Sequence, residues 1–390
     1  MPKPSSRIGT QPGSSSVLQV EYGAAIEHVD ELIHPPAGAA FLAPAFIDLQ
    51  VNGFAGVDYN DPLARPDAIA HSIRKMFAAG VARFFATVIT GSEERIAGSL
   101  RNLARAKEEF LRSGLPEGEA MEGFHVEGPH ISPEEGPRGA HPLEHVRPPD
   151  IEEFKRWQEA AGGGVRLVTL SPEWENAPEY IAELVRSGVV ASIGHTKAAA
   201  AQIHAAVDAG ATMSTHLGNA ALPMLPKTDN CIWEQLAEDR LTASFIADGL
   251  HIPASFLRAS LRAKGAERSV LVTDAVMPAM CLPGEYRLGQ VDVELRENGS
   301  VVLRGGTRLA GSVLRMDQAI ANAARMGGIS VSDALAMATV NPARAGRITG
   351  RQRGLRPGEK ADFVRFRWDD ASSTITVLET VVAGETVYNA

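Results

Sequence analysis

Residues 123–130 read GFHVEGPH: an apolar run that delivers His125, Glu127 and His130 and then breaks at Gly128-Pro129. Further along, SIGHT carries His195 and STHLGN carries His216, each just past a short apolar run. One carboxylate and two imidazoles form a common ligand set for a catalytic Zn²⁺ or similar ion, with a position left for water. A lone histidine at a strand end is usually a hydrogen-bonded structural residue, but three ligand-type residues at corresponding places point to a metal. Asp274 closes another such run, VLVTDAV. Beside a cation, which lowers the pKa of water to about 7, a carboxylate can take the proton and later hand it to a leaving amine. Taken alone, Asp274 would read as a turn or cap residue.

The other histidines divide by context. His141 lies in GPRGAHP, a Gly/Pro-rich loop of the kind that contacts substrate over a barrel mouth. His251 ends the run ADGLHIP. His125 alternates onto the same face as Glu127 and is either a ligand or the partner of one. His130 follows Pro129 and is expected to face the loop. His28, His34, His71, His145 and His204 lack supporting context and read as structural or surface residues.

Eight runs must position these groups: residues 45–53, 83–90, 121–128, 165–173, 189–196, 211–219, 242–251 and 269–276. Between them lie helical stretches such as EERIAGSLRNLARAKEEFLRSG and PEYIAELVRSG, the latter ending at a glycine suited to a helix C-terminus. Strand and helix alternating in this way predict an α/β protein with a (β/α)8 barrel of the TIM type. A doubly wound sheet shares the local grammar. The barrel is favoured because nearly every run ends in polar, reactive residues, which in a barrel ring one mouth.

The flanks differ. Residues 16–44 and 345–390 hold strand-like pieces, including SVLQVEYG, ADFVRFRW and a final stretch turning at Gly384. The two ends are expected to pair into a small β-sandwich domain beside a barrel spanning 45–344. Residues 285–305 look like an excursion of strands with an Asn-Gly turn, after which a helix begins near Leu314. Residues 1–15, rich in Ser, Pro and Gly, read as a disordered tail.

Composition sets outer bounds. With 44% hydrophobic residues but only 6% aromatic, the core is built from Ala, Val, Leu and Ile. The net charge of -9 argues against a nucleic-acid or anionic-membrane partner. No apolar run reaches the roughly 18–20 residues of a membrane span, and the N-terminus lacks the apolar centre of a secretory signal. Two cysteines without a CxxC pattern fit a reducing compartment. A cytoplasmic protein is expected.

Taken in order, PAFIDLQVNG, GFHVEGPHISPEEGPRGAHP, SIGHTKA, THLGNA, ADGLHIP, LVTDAV, LAGSVLRMDQAI, ATVNPARAGRI and GLRPGEKADFV resemble the amidohydrolase superfamily, in its N-acetylglucosamine-6-phosphate deacetylase branch. The resemblance implies that Glu127, His195 and His216 hold a divalent metal and that Asp274 is the acid/base. It further implies that His141 polarises an acetamide carbonyl and that His251 meets the sugar-phosphate end, with main-chain groups near Asn219 and Ala220. Leu309 and Ala310 of LAGS would line the sugar site. Where many members carry His-x-His, this chain has Gln50 and Asn52, poor ligands for a second transition metal. One metal per subunit is therefore implied, zinc first, with Fe²⁺, Co²⁺ or Mn²⁺ as alternatives. Glu127 stands where relatives often use a carboxylated lysine.

Two positions depart from the pattern. Lys227 stands where an Arg reaching a neighbouring subunit's phosphate is usual, and it keeps the charge but loses the bidentate fork. Gly218 stands where a bulky aromatic is common. The expected activity is hydrolysis of N-acetylglucosamine-6-phosphate to glucosamine-6-phosphate and acetate, by a homodimer with a small-molecule amino-sugar substrate. Related amidohydrolysis of another N-acyl sugar, an N-acyl amino acid or a cyclic amide is the alternative. A catalytically silent sugar-binding protein stands further off, against the intact Glu127, His195, His216 and Asp274.

Overall fold

The computed structural model describes residues 5–34 and 38–390. Its centre is a sheet of eight strands, adjacent in chain order and parallel throughout. The strands are Phe46–Val51, Val81–Ile89, Met121–Glu127, Val165–Leu170, Val190–Ile193, Met213–Ser214, Thr242–Phe245 and Ser269–Leu271. The first strand is buried along its whole length, as expected where helices cover one face and packed side chains fill the other. The barrel closes through a parallel bridge between Val51 and Ala275. Asp274 N–H donates to Gln50 O at 3.0 Å there, and Asn52 N–H to Ala275 O at 2.7 Å. The closing seam thus runs directly through a candidate acid/base.

Helices alternate with these strands. Glu93–Arg112 starts on Ser92, whose side chain accepts from Arg95 N–H, and places acidic residues in its first turn. Ala177–Arg186 is followed by Gly188 with φ +78°, the left-handed stop that a glycine supplies easily. The helix expected near Leu314 runs from Met316 to Gly327. Ahead of it, Gly284–Leu288, Val291–Leu295 and Val301–Leu303 form a three-stranded antiparallel sheet with its own small apolar core.

The two chain ends share one seven-stranded sheet. Its order is Glu385–Asn389, Thr374–Val382, Phe363–Asp369, Phe41–Pro44, Ser5–Thr10, Val17–Tyr22, Ile26–Glu31. The sheet curls so that Tyr22 meets Phe363 edge-on at 4.8 Å, enclosing a sandwich-like core with Val20, Ile26, Leu42 and Val381. The expected tail over 1–15 is corrected in part. Ser5–Thr10 pairs antiparallel with Val17–Tyr22, with Ile8 opposite Gln19. Ladder bonds hold this segment, so its Ser/Gly composition misleads. Residues 1–4 lie outside the described residues.

Candidate active site

Each chemical group sits where a barrel strand ends and the backbone turns out of the sheet. Glu127 is the last residue of the third strand. His195, His216 and Asp274 follow the fifth, sixth and eighth strands with φ values of 50°, 29° and 50°. Non-glycine residues adopt this region rarely, and such strain gathers at functional sites. Gly128, after Glu127, has φ +81°, and a Cβ there would lie 2.1 Å from Thr90 Oγ1. The EGP turn therefore requires glycine, because that hydroxyl is also the partner of His141 Nδ1 at 2.7 Å.

Three nitrogens converge on one oxygen. Glu127 Oε1 lies 3.2 Å from His195 Nε2, 2.9 Å from His216 Nε2 and 2.9 Å from Gln50 Nε2. Burial alone would raise the Glu127 carboxyl, but His195 and His216 hold it well below its ordinary range. His216 is raised in turn, since Glu127 outweighs its burial. Asp274 faces them across the same space. Gln50 Nε2 (3.1 Å) and Asn52 Nδ2 (2.6 Å) both donate to its Oδ1, which leaves Oδ2 for the cavity. Burial, then the negative charge of Glu127, pushes Asp274 up to about 7.

This donor set fits a divalent cation. His195 Nδ1 lies 2.9 Å from Pro137 O and must carry a proton to donate to it. In a neutral ring, Nε2 then turns a lone pair toward the carboxylate oxygen. Lone pair against lone pair is repulsive, and either a proton on Nε2 or a cation in its place removes the conflict. His216 Nδ1 and Asn52 Oδ1 are buried without partners among the described residues. Glu127, His141 and His195 also present ligand atoms that all lie within 4.8 Å of one another. This set substitutes His141 for His216. We retain His216 because its nitrogen is the nearest of the three to Oε1, while His141, anchored by Thr90, stands beside the same point.

A cavity of about 930 Å³ opens over these groups. His141, Asn219, Ala220, His251, Leu309 and Ala310 all line it, together with Glu127, His195, His216 and Asp274. Lys227 is exposed and does not line it. Gly218 has φ +98°, and a Cβ there would meet the Phe256 ring at 2.5 Å, so Phe256 already fills the space. His125 is not among the groups at the mouth. It lies in the barrel interior, with Nε2 2.7 Å from Thr169 Oγ1, on a hydroxyl chain through Thr215 to Ser192, and burial pushes it down to about 4. His130 meets the loop beyond the third strand as expected, with Nδ1 3.3 Å from Arg147 O, but it does so inside the protein. It is fully buried, stacked on Trp157 with Tyr180 edge-on.

Several working parts carried little signal in the sequence. Gln50 and Asn52 are noticed there as unfit ligands, yet they act as amide donors: Gln50 ties Glu127 to Asp274, and Asn52 holds Asp274. Thr90 under His141 and the Pro137 carbonyl behind His195 could be found only by folding the chain. Asp248, 2.6 Å from His251 Nδ1, had a weak cue in its spacing of three residues.

A buried cluster able to hold a metal ion lies at the C-terminal mouth of a (β/α)8 barrel, and the chain belongs to the amidohydrolase family, whose model matches residues 41–387. Within that family, the chain is 37% identical over 365 residues to N-acetylglucosamine-6-phosphate deacetylase of Bos taurus, covering 90% of this chain and 84% of that one. It is 33% identical to N-acetylgalactosamine-6-phosphate deacetylase of Escherichia coli O157:H7, covering 84% and 83%. Its fold is similar to the crystal structure of N-acetyl-D-glucosamine-6-phosphate deacetylase from Mycobacterium smegmatis, an aspartate-to-alanine variant in complex with N-acetyl-D-glucosamine-6-phosphate. The TM-score is 0.86 at 31% identity, covering 99% of this chain and 100% of that one.

Proposed function

We infer that the protein hydrolyses the acetamide of N-acetylglucosamine-6-phosphate, releasing acetate and glucosamine-6-phosphate. The observation that carries this reading is the convergence of Glu127, His195 and His216 on one point, with Asp274 facing it across a sugar-sized cavity. Glu127, His195 and His216 would hold one divalent ion, zinc first. When bound, the ion would act as a Lewis acid on the carbonyl and lower the pKa of water.

The chain's own residues do the rest. With the Thr90 hydroxyl donating to Nδ1, His141 keeps its proton on Nε2 and donates it to the acetamide oxygen, which gains negative charge as water adds. Asp274 takes the water's proton at Oδ2, while Gln50 and Asn52 fix the carboxylate through Oδ1. As the C–N bond breaks, Asp274 returns that proton to the sugar nitrogen, so acetate and a free amine leave. His251, Asn219, Ala220, Leu309 and Ala310 would hold the sugar and its phosphate. A cytoplasmic homodimer completes the reading, with Lys227 available to a neighbour's site. No helix among the described residues is long and apolar enough to cross a membrane.

A second reading, another N-acyl amino sugar as substrate, is favoured by Lys227 lying outside this chain's cavity. A substrate panel separates the two. Acetate release should be fastest from N-acetylglucosamine-6-phosphate. Faster release from the galactosamine epimer or from an unphosphorylated sugar would favour the second reading, and no release from any acetamide would end both.

A further inference from the structure

Arg308 belongs to none of the motifs above, yet it is the one arginine or lysine among the described residues that line the cavity. Its guanidinium donates from Nη1 to Gly139 O at 3.2 Å and from Nη2 to Glu135 Oε1 at 2.6 Å. The Glu135 side chain is 78% exposed, so this ion pair contributes little and is readily exchanged. The loop carrying Glu135 and Gly139 passes between two parts of the site. A Cβ on Gly139 would lie 3.3 Å from His195 Cε1, and one on Gly136 would lie 3.0 Å from Ala221 O. Arg308 therefore stands close to the corner made by Asn219, Ala220 and Ala221, one loop away from His195. Other positive groups are weaker candidates within one chain. His251 spends Nδ1 on Asp248 and keeps only Nε2 for a ligand, and Lys227 lies outside the cavity.

We propose that Arg308 is a specificity-determining residue, which releases Glu135 to bind a phosphate monoester on the substrate. The proposal rests on the phosphorylated amino-sugar reading. A guanidinium offers parallel N–H donors matched to two phosphate oxygens, the fork that a lysine lacks. Gly139 O keeps that fork aimed, and Glu135 occupies it in the free protein. Arg308 then adds its fork to the contacts proposed for His251, Asn219 and Ala220 in the same cavity.

The test compares Arg308→Gln, Arg308→Lys and Glu135→Gln with the wild type, using acetate release from phosphorylated and unphosphorylated N-acetylglucosamine. Arg308→Gln should raise KM for the phosphorylated sugar about 10–100-fold, as loss of a charge-assisted contact does. Its kcat should stay near wild type, and kcat/KM for the unphosphorylated sugar should not move. Arg308→Lys should fall between the two, and Glu135→Gln should lower KM. Equal losses on both sugars would make Arg308 only a prop for the His141 loop and overturn the proposal, as would no change at all. A wild type that treats both sugars alike overturns it while leaving the deacetylase reading intact. A wild type that releases acetate from neither overturns that reading instead. Calorimetric binding of glucosamine-6-phosphate against glucosamine then decides on Arg308, and absence of a preference overturns the proposal.

Discussion

Two buried clusters of charge occupy opposite ends of the same barrel. At the N-terminal end, Arg83 donates to Asp362 at 2.8 and 3.2 Å and to Glu119 at 2.8 Å. Arg351 donates to Asp362 Oδ2 and Ala45 O, each at 2.6 Å, and Ala383 N–H completes the carboxylate. Each Asp362 oxygen accepts two hydrogen bonds. At the C-terminal mouth the charges are also buried, but among the described residues His216 Nδ1 and Asn52 Oδ1 have no partner, and two carboxyl groups are driven apart. Glu127 goes down and Asp274 up to about 7. Divergent environments for two acids in one pocket are the signature of an acid/base site. The fully partnered carboxylate fastens the terminal sheet to the barrel, and the incompletely partnered cluster at the mouth could hold an ion.

The sharpest way to break this contrast is to neutralise one acid in each cluster. Asp274→Asn should cut acetate release by about 10²–10⁴ while the melting temperature stays close to wild type. Asp362→Asn should do the reverse. It leaves Arg83 and Arg351 buried beside a neutral amide, and it should destabilise the fold by about 3–5 kcal/mol in denaturant titration, with turnover per folded molecule retained. If both variants lose stability and keep activity, the division of labour is wrong.

Acid titration of the wild type beside Asp362→Asn isolates the lower cluster. Burial would raise the Asp362 carboxyl, but Arg351 and Arg83 overcome it and hold it well below the usual carboxylate range. A folded pKa below the unfolded value of about 3.9 gives stability that is fully present above the unfolded value and lost as pH falls from there through the folded pKa. Denaturant midpoints should drop below about pH 4 in the wild type, and Asp362→Asn should show a shallower drop. Equal slopes would assign acid lability to other carboxyl groups. The smallest expected effect is at the mouth. Asn52→Ala removes one of two amide donors to Asp274 and should cost about 10–100-fold in kcat, with metal content unchanged.

What the sequence made legible follows the same division. Short apolar runs ending in polar residues sufficed for the barrel and its mouth, because parallel strands buried on both faces leave a continuous hydrophobic trace. The runs overshot the strands. Residues 211–219 contain a strand of only two residues, Met213–Ser214, and His216 sits in the turn beyond it. Glu127, His195, His216 and Asp274 were visible because each closes such a run. Ser5–Thr10 was not, since its strand is set by pairing with Val17–Tyr22 rather than by apolar content. Nor was the lower cluster. Arg83, Arg351 and Asp362 are scattered over 280 positions, and ordinary charged residues carry no local mark of burial. His125 and His130 resemble ligands in sequence because alternation and proximity cannot tell the barrel interior from its rim.

The most direct test of the central claim follows acetate release from N-acetylglucosamine-6-phosphate and metal content on the same sample, through exhaustive chelation and then stepwise return of Zn²⁺. The account predicts a chelated protein that is folded and inert, and that regains activity in proportion to bound ion up to about one equivalent per chain. A metal-free protein that hydrolyses the acetamide at an undiminished rate would contradict it.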